Sequence, residues 1–351
     1  MTMGTNGAAH GAGEGLVELR ELTAADVEPE AWDRFVGDSG GSFLGCWRVV
    51  RTYRLRSRVR LFDVVARRPH GPDLKVGQCA VAVRRDRVRF LDRLHLAPGH
   101  EHLWTRCWPL LVERCGAATY EYGSAWNHES PRPLGLADAV VAGEPFQIDR
   151  VNFSAWNDFT AYRREVSENI RRDYRKAAAA SPSVVTRYGL DALRDLAGLI
   201  RFRRRMMRKN QEPFSGSADY ARHALKLVCL GPNGFIATVR TRHRRRAAFF
   251  GARLGRNVYY LSGGTEDNGF GSYLFLTLLE SWFAEHPDGN LYLGMYPGAW
   301  DPQTYTHGNL LYRRKLRATA THGVRFALTM TVSKRAPGQA QPGATARSAL
   351  M

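Results

Sequence analysis

Hydrophobic and polar positions divide the chain into two stretches with a similar order of elements. In the first stretch, polar and apolar residues alternate over 16–22, which predicts a half-buried strand. Apolar residues at helical spacing predict two short helices within 30–53, around a bend at Gly40 and Gly41. The pattern then predicts strands at 61–66, 78–83 and 88–91, a helix at 102–115, and strands at 118–122 and 146–152.

The second stretch follows a basic helix predicted over 156–180. Four apolar side chains stand four residues apart on one face of this helix: Tyr162, Val166, Ile170 and Tyr174. Beyond it, the pattern predicts one strand, two helices, three antiparallel strands, a helix and two further strands. These elements cover 184–188, 191–209, 218–228, 235–242, 247–254, 258–263, 269–285, 291–295 and 324–331, with Ser217 and Asn268 as helix caps.

The shared order predicts an α/β (α+β) protein with two similar domains in tandem, each a mixed sheet flanked by helices. The predicted boundaries are a disordered lead at 1–15, a first domain at 16–150, a basic connecting helix at 151–183, a second domain at 184–331 and a disordered tail at 332–351. Apolar residues make up 44% of the chain, which is enough for a sizeable core. No uncharged apolar run is long enough to predict a transmembrane helix.

Composition adds a strong positive charge to this picture. The formal net charge is +18, from 51 Lys and Arg against 33 Asp and Glu. A charge of this size indicates an anionic partner, such as nucleic acid, an acidic carrier protein, a polyphosphate cofactor or an anionic membrane. The five cysteines are an odd number without a Cys-x-x-Cys pair, which indicates reduced thiols in a cytoplasmic protein. The histidines form no ligand cluster, and we predict no metal site.

The strongest local signal is the segment Leu-Ser-Gly-Gly-Thr-Glu-Asp-Asn-Gly-Phe-Gly-Ser-Tyr at 261–273. It predicts a strand that ends in glycines and a helix that begins at Gly269. Free backbone N–H groups at a helix N-terminus bind anions, and glycines allow a close approach. The helix that follows is apolar nearly all round and is therefore buried. The segment favours a phosphate site, with a plain strand-to-helix connection as the alternative.

The element order, this loop and Leu-Tyr-Leu-Gly at 291–294 resemble the GNAT acyltransferase fold. Two segments are similar to one branch of it, the tandem-GNAT proteins that include the Fem-type aminoacyl-tRNA-dependent transferases and related acetyltransferases. One is the arginine-rich segment 166–176 between the units, and the other is the aromatic and basic segment 310–318 after the last helix. Where the branch often has lysine directly after the aromatic residue, this chain has Arg313, with Lys315 two residues further on.

The resemblance implies direct attack of an amine or hydroxylamine on a thioester or ester, with backbone N–H groups stabilising the oxyanion. A side chain or a water serves as general base. The candidate catalytic residues are Glu266, Asp267, Tyr296, His307 and Lys315. The candidate donor-binding residues are Asn268, Gly269, Gly271, Ser272 and Arg313. The structural alternatives are packing for Tyr296, a surface loop for His307 and a solvated basic face for Arg313 and Lys315.

Basic residues concentrate around two helices. Between 163 and 209 the chain has 14 Arg and Lys residues against 5 Asp and Glu residues. A surface that tracks phosphates requires this density, and arginine as a surface filler is the alternative. The candidate residues for binding a carrier or tRNA are Arg171, Arg172, Arg175, Lys176, Arg204, Arg205 and Arg208. A further basic patch is predicted at the hairpin tip, 243–246.

Several functions fit these features. The leading hypothesis is transfer of an aminoacyl group from aminoacyl-tRNA to a small-molecule amine or hydroxylamine, in natural-product (antibiotic) biosynthesis. This hypothesis requires no cofactor. Acyl-CoA or an acyl-carrier protein is the alternative donor. A nucleic-acid-binding protein is the non-enzyme alternative, although no helix-turn-helix, RRM or KH signature supports it. Transfer onto a membrane lipid is a further alternative, without a membrane-lying helix to favour it.

Overall fold

The computed structural model describes residues 16–55, 57–68, 71–116, 119–122, 126, 139–242, 244–297 and 308–330. The strands are β1 (Val17–Leu22), β2 (Arg58–Ala66), β3 (Leu74–Arg84), β4 (Arg87–Phe90), β5 (His95–Leu96), β6 (Thr119–Tyr122), β7 (Ala139–Asn152), β8 (Ser183–Tyr188), β9 (Gly234–Thr241), β10 (Arg244–Leu254), β11 (Asn257–Thr265), β12 (Asn290–Pro297) and β13 (Thr319–Met330). The helices are α1 (Pro29–Asp38), α2 (Trp47–Tyr53), α3 (Trp104–Cys115), α4 (Phe159–Glu165), α5 (Glu168–Ala178), α6 (Leu193–Lys209), α7 (Gly216–Leu230), α8 (Asn268–Glu285) and α9 (Gly308–Lys315).

Two units repeat the same order of elements. The first has one strand, two helices, three main strands, helix α3 and then β6 and β7. The second has β8, two helices, three strands, helix α8 and then β12 and β13, with α9 between these last two. One neighbouring pair in each unit is parallel, β4 with β6 and β11 with β12. The predicted α/β fold with two similar domains in tandem is therefore confirmed.

The last strands of the two units change places. β7, which ends the first unit, pairs with β12 of the second unit, while β13, which ends the second unit, pairs with β6 of the first. β7 and β13 also pair with each other, from Arg150–Thr319 to Ala139–Met330. This exchange joins the sheets of the two units into one, in the order β1-β2-β3-β4-β6-β13-β7-β12-β11-β10-β9-β8, with β5 beside β3.

Apolar clusters cover both faces of the sheet. Phe249 and Phe250 of β10 lie in different clusters because successive residues of a strand point to opposite faces. The cluster around Phe250 includes residues of α1, α2, α6 and α7, and the cluster around Phe249 includes residues of α4, α5 and α8. A third cluster, around Trp108, packs α3 against the first unit. The sheet of the second unit therefore lies between two layers of helices.

The predicted basic connecting helix is broken in the structure. Extended backbone at Val166, with ψ of 140°, separates α4 from α5. The break follows from tertiary contacts, because the Ser167 N–H donates to the Lys315 carbonyl at 3.1 Å instead of continuing the helix. On the α4 side, the Tyr162 hydroxyl donates to the Leu316 carbonyl at 2.9 Å. The prediction of one continuous helix is thus wrong, although its apolar face is buried at Tyr162 and Val166.

Two helix caps differ from those predicted. The side chain of Ser215, not Ser217, accepts a hydrogen bond from the backbone at the start of α7. The side chain of Asp267, not Asn268, does the same for α8. Serine, aspartate and asparagine are all good N-caps, so the local sequence does not decide between close neighbours of these types.

All five cysteines are free. Burial raises the pKa of Cys46 and of Cys107 to about 12, which makes both thiols unreactive at neutral pH. None of the described helices is both long and apolar enough to cross a membrane.

Candidate active site

The parallel strands β11 and β12 separate in the middle of the second unit. They pair from Asn257–Asn290 to Tyr259–Tyr292, and no further pair between them is found in the described part of the chain. Each strand then has one extra residue relative to its other neighbour, Leu261 in β11 and Leu293 in β12. A β-bulge bends a strand and increases its twist. Two bulges directly after the last shared pair therefore direct the strands apart.

We call the opening between residues 260–265 of β11 and 293–297 of β12 the wedge. Strands that separate leave backbone N–H and C=O groups without the partners that a sheet interior normally provides. Such groups can bind the polar atoms of a ligand, and N–H groups directed at one point stabilise an oxyanion. The backbone of the wedge is therefore a candidate for binding the polar atoms of a ligand.

Aromatic rings line the side of the wedge that faces α8. The rings of Tyr260 in β11 and Phe275 in α8 lie 5.6 Å apart, and those of Phe275 and Tyr312 in α9 also lie 5.6 Å apart. The Tyr312 hydroxyl lies beside the hydroxyl of Ser272 in α8. Residues from β11, α8 and α9 therefore meet at one place.

The hydroxyls of Ser272 and Tyr312 are buried, and neither completes a hydrogen bond of good geometry within the described chain, although the two lie close together. Burial raises the pKa of Tyr312, and the Ser272 hydroxyl opposes this shift by a smaller amount. Tyr312 therefore keeps its proton at neutral pH. Because buried polar groups in proteins usually have well-formed hydrogen bonds, this pair of hydroxyls is a candidate for binding a polar group of a ligand.

Arg313 occupies the β12 side of the wedge. Its Nη1 lies 3.2 Å from Asp149 Oδ2 of β7. At the β12 bulge, Gly294 has φ of +119°. A Cβ on Gly294 would lie 2.7 Å from Arg313 Nη2, so the guanidinium group lies directly against the strand backbone. Glycine suits this position both for its backbone conformation and for the close contact.

A second arginine reaches β11 from α6, on the other face of the sheet. Arg203 donates to Ser262 Oγ and to Asp219 Oδ2, each at 2.6 Å. Burial raises the pKa of Tyr260, whereas Arg313 and then Arg203 oppose this shift by smaller amounts. Tyr260 is therefore a neutral ring between two guanidinium groups. Arg203 also fixes β11 at the point where that strand has left β12.

The predicted donor loop forms the capped start of α8. Asp267 Oδ1 accepts a hydrogen bond from the Phe270 N–H at 3.2 Å. Gly269 packs against α5, since a Cβ there would lie 3.3 Å from the Asp173 carbonyl oxygen. Gly271 packs against the end of β11. The Asp267 carboxylate thus caps one N–H group of this helix N-terminus, and α5 packs against Gly269.

Glu266 forms ion pairs with three arginines. Its carboxylate lies 2.7 Å from Arg244 Nη2, 2.7 Å from Arg246 Nη1 and 3.9 Å from Arg205 Nη1. Its backbone N–H also donates to the Arg246 carbonyl at 2.8 Å. Glu266 therefore links β10 and α6 to the residue that caps α8.

The other candidates from the sequence lie apart or cannot be placed. Lys315 is exposed at the end of α9. Tyr296 belongs to β12 at the wedge, but its side chain, like that of Asn268, is outside the described residues. His307 also lies outside the described residues. No group of three or more His, Cys, Asp or Glu side chains in the described chain is arranged to hold a metal ion.

Of the sequence candidates, Arg313 and the backbone of Tyr296 lie at the wedge, and Ser272 lies beside Tyr312. Sequence analysis missed Tyr260, Tyr312 and Gly294, which line the same opening. Tyr312 lies in the aromatic and basic segment at 310–318, and Gly294 ends the segment at 291–294, so both were within quoted signals. For Tyr260, the sequence carries no comparable signal.

Arginines line a groove between α4 and α5, which we call the α4–α5 groove. Its volume is about 220 Å³, and it is lined by Thr160, Arg163, Arg164, Arg171 and Arg175. The groove borders α9, because the Ser167 N–H donates to the Lys315 carbonyl at 3.1 Å. Arg172 and Lys176 are exposed on the same helix, α5. A cationic surface thus adjoins the helix that carries Tyr312.

The other carrier candidates form a separate surface. Arg204, Arg205 and Arg208 are exposed on α6, which packs on the opposite face of the sheet from α5. The predicted cationic residues therefore lie on both faces of the sheet in the second unit.

Aromatic rings also pack beside the parallel pair of the first unit. β4 and β6 pair from Arg87–Thr119 to Arg89–Glu121. Directly beyond, aromatic rings contact one another: Phe90, Trp104, Trp108 and Tyr122. The Tyr122 hydroxyl accepts a hydrogen bond from Trp104 Nε1 at 3.2 Å, and burial raises its pKa to about 12.

No protein-family model and no curated protein matches the sequence. Among solved structures, FemX is similar over 88% of this chain and 96% of its own, with 10% identity and a TM-score of 0.61. L-PGS from Bacillus licheniformis is similar over 86% of this chain and 92% of its own chain, with 12% identity and a TM-score of 0.48. A tandem GNAT protein from the clavulanic acid biosynthesis pathway covers 90% and 98%, with 12% identity and a TM-score of 0.44. The chain has the fold of FemX, in agreement with the two similar units found in tandem.

Proposed function

We propose that this chain is an acyltransferase that moves an aminoacyl group from aminoacyl-tRNA to the amine or hydroxylamine of a small molecule, in natural-product biosynthesis. The observation that carries the proposal is the wedge between β11 and β12, with Tyr312, Ser272 and Arg313 beside it. Its polar groups suit a carbonyl that becomes an oxyanion, and Asp267 already caps one N–H group of the phosphate site expected next to it.

In this reaction the acceptor nitrogen attacks the carbonyl carbon of the aminoacyl ester. A C–N bond forms, the C–O bond to the terminal ribose of the tRNA breaks, and the electron pair of that bond leaves with the ribose oxygen. The nitrogen gives up one proton and the ribose oxygen takes one, so the products are an amide and a free hydroxyl. Backbone N–H groups of the wedge stabilise the negative charge on the carbonyl oxygen as it develops.

The side chains at the wedge supply the remaining steps. Burial keeps Tyr312 protonated, so its hydroxyl is a suitable donor to the leaving ribose oxygen. Arg313 places a positive charge against the β12 backbone, where it stabilises the same developing negative charge. Ser272 binds a polar atom of the donor next to Tyr312. Glu266 and Asp267 support the loop that holds α8 in position.

The capped start of α8 favours a donor other than coenzyme A. A pyrophosphate at this helix would compete with the Asp267 carboxylate for the Phe270 N–H, and it would be repelled by that carboxylate. An aminoacyl ester at the end of a tRNA needs no phosphate at that point. Its phosphates can bind in the α4–α5 groove, which adjoins α9.

Two further considerations support aminoacyl-tRNA as the donor. The chain resembles the Fem-type aminoacyl-tRNA-dependent transferases in its arginine-rich connection and its final aromatic and basic segment, and it has the fold of FemX. An acyl-carrier protein is the second candidate donor, because an acidic protein also suits a chain with a net charge of +18. A protein that only binds nucleic acid would leave the unpaired hydroxyls of Ser272 and Tyr312 without a role.

A donor comparison tests the proposal. The purified protein is incubated with radiolabelled aminoacyl-tRNA, acyl-CoA or acyl-carrier protein and a panel of small primary amines and hydroxylamines, each with and without ribonuclease. We expect label to pass from aminoacyl-tRNA to an acceptor and ribonuclease to abolish this transfer. Transfer that resists ribonuclease and requires acyl-CoA would overturn the proposal, and transfer that requires the carrier protein would replace tRNA with the second candidate.

A further inference from the structure

A second arginine-lined groove lies on the opposite face of the sheet from α5. Its volume is about 540 Å³, and it is lined by Arg201, Thr241, Arg242, Arg244 and Arg245. It lies between α6 and the tip of the β9–β10 hairpin, and we call it the hairpin groove. Two of its cations have carboxylate partners, Arg244 with Glu266 and Arg245 with Asp195.

The groove has an excess of positive charge. In the described chain, no carboxylate lies within ion-pair distance of Arg201 or Arg242. Asp195 is fully buried and is shared by three guanidinium groups, those of Arg187, Arg240 and Arg245, at 3.1, 2.8 and 2.6 Å. Asp191 also lies 2.8 Å from Arg187, so two carboxylates face three cations and the cluster still adds to the positive potential at the groove.

A ridge of arginines continues the hairpin groove along α6. Arg201, Arg204, Arg205 and Arg208 are exposed and lie on one face of the helix, because their spacing of three or four residues matches the helical repeat. We call these residues the α6 ridge. From Arg201 to Arg208 the ridge spans about 10 Å at 1.5 Å per residue. Arg203, between them, points inward to Ser262 and is not part of the ridge.

The groove and the ridge lie near the open end of the wedge. Arg244 of the groove is paired with Glu266, and Arg205 of the ridge lies 3.9 Å from the same carboxylate. Glu266 directly follows β11, whose residues 260–265 form one side of the wedge. A donor whose reactive end lies in the wedge would therefore have this cationic surface close by, on the face opposite to the α4–α5 groove.

The lining identifies the kind of partner. Interfaces with proteins have an apolar centre, but the hairpin groove is lined by arginines and one threonine, and none of the exposed large apolar side chains of the described chain lies in it. Interfaces with nucleic acid are polar and strongly positive. The groove also has no aromatic ring on which an unpaired base could stack, as single-strand binding sites have. This composition suits a helical RNA backbone, in which phosphates are exposed and bases are not.

We infer that the hairpin groove and the α6 ridge bind the phosphate backbone of a helical RNA segment, without reading its sequence. The inference rests on the proposed function, in which the unpaired end of the donor tRNA carries the aminoacyl ester into the wedge. The base-paired stem next to that end is then the segment that lies on the groove and the ridge. Two separated cationic surfaces, one on each face, match a donor much larger than coenzyme A.

Binding to a short RNA hairpin tests the inference. The probe is a fluorescent hairpin with a 12-base-pair stem and no amino acid, and its affinity for the full chain is measured by anisotropy at several salt concentrations. The variant Arg201→Gln with Arg242→Gln removes the two unpaired cations of the groove. The matched control, Arg34→Gln with Arg51→Gln, removes two exposed arginines of the first unit.

We expect the groove variant to bind the hairpin roughly tenfold more weakly and the slope of log affinity against log salt to decrease by about 2, since each lost phosphate contact removes about one. The control should bind as the unchanged chain does. Equal affinity and slope for the groove variant and the unchanged chain would overturn the inference. An unpaired RNA with the sequence of one arm of the stem should bind more weakly. If it binds as tightly as the hairpin, and loses as much affinity in the variant, the inference of a helical segment is overturned.

The transfer assay separates this inference from the proposed function. With aminoacyl-tRNA as donor, we expect the groove variant to raise KM while kcat at saturating donor stays unchanged, because both substitutions lie outside the wedge. If the unchanged chain uses aminoacyl-tRNA and the variant has the same KM, only the inference about the groove fails. If the unchanged chain binds no RNA and transfers from acyl-CoA, the proposed function fails as well.

Discussion

The guanidinium group of Arg313 lies against the backbone of Gly294, at the point where β12 bends away from β11. A Cβ on Gly294 would lie 2.7 Å from Arg313 Nη2, and the φ angle of Gly294 is +119°. The wedge and the position of the Arg313 charge thus depend on each other. The bulge that separates β12 from β11 also leaves the space that the Arg313 guanidinium group occupies.

The substitution Gly294→Ala tests this dependence. The new Cβ must displace the guanidinium group of Arg313. A displacement of about 1 Å reduces the rate of transfer roughly 100-fold. Strain in the backbone also lowers the free energy of unfolding by about 2 kcal/mol. Gly99→Ala is the matched control, because Gly99 has φ of +84° and no atom within 4 Å of its Cβ position. It should lose stability without losing transfer activity, and an equal loss of activity in both variants would contradict the account.

Tyr312→Phe removes the hydroxyl assigned to the leaving oxygen. We expect kcat to fall roughly 100-fold, as for loss of a general acid. The free energy of unfolding should change by less than about 1 kcal/mol, because the buried hydroxyl has no good hydrogen bond to lose. Tyr273→Phe is the complementary variant, since its hydroxyl donates to the Pro182 carbonyl at 3.2 Å. It should lose about 1 kcal/mol of stability and keep its activity. Full activity in Tyr312→Phe would remove Tyr312 from the mechanism.

Asp267 is a helix cap in the structure and a candidate catalytic residue in the sequence, and two substitutions distinguish these roles. Asp267→Ala should lower the free energy of unfolding by about 1 kcal/mol. Asp267→Asn keeps a good capping side chain, so it should recover most of this stability and transfer at close to the normal rate. Thermal unfolding and kcat are measured for both variants. A carboxylate that acts as the general base would instead make Asp267→Asn stable but nearly inactive.

His95 predicts a loss of stability in mild acid. The imidazole is buried in the first unit, where a Cβ on Gly41 would lie 2.4 Å from its Cε1. Burial, and then the Arg93 charge, lowers the pKa of His95 well below 6.5. The unfolded chain therefore takes up a proton below about pH 6.5 that the folded chain does not, and stability decreases as the pH falls, by about 1.4 kcal/mol per unit.

Thermal unfolding between about pH 8 and pH 5 measures this dependence. His95→Asn should flatten the curve, leaving the smaller contribution of His223, whose pKa burial also lowers. His102→Asn replaces an exposed histidine and should leave the curve unchanged. The same steep loss of stability in His95→Asn would show that another group titrates.

The order of elements was predictable because it follows from local periodicity. Amphipathic spacing located α6, a long apolar run located α8, and short apolar runs around the turn at 255–257 located β9, β10 and β11. The break at Val166 was not predictable, because it depends on a hydrogen bond between Ser167 and Lys315, far apart in the sequence. The exchange of β7 and β13 between the units was not predictable either. The pattern of apolar residues within a strand does not determine which other strand it pairs with.

The candidate site was predictable only in part for the same reason. The wedge results from bulges at Leu261 and Leu293, which exist only relative to the neighbouring strands. Ser272 and Tyr312 meet through the packing of α9 on α8. The glycine at 269 illustrates the ambiguity of a motif, since close approach of α5 and close approach of a phosphate require the same residue.

Hydrogen exchange of the backbone amides tests the central claim most directly, because it needs no acceptor. The chain is compared alone, with deacylated tRNA, with a tRNA that carries the aminoacyl group through a stable amide, and with acetyl-CoA. We predict that the aminoacylated tRNA slows exchange at 260–265 and 293–297, whereas deacylated tRNA protects the arginine surfaces and not the wedge. Slower exchange at the wedge with acetyl-CoA, and none with the aminoacylated tRNA, would contradict the account.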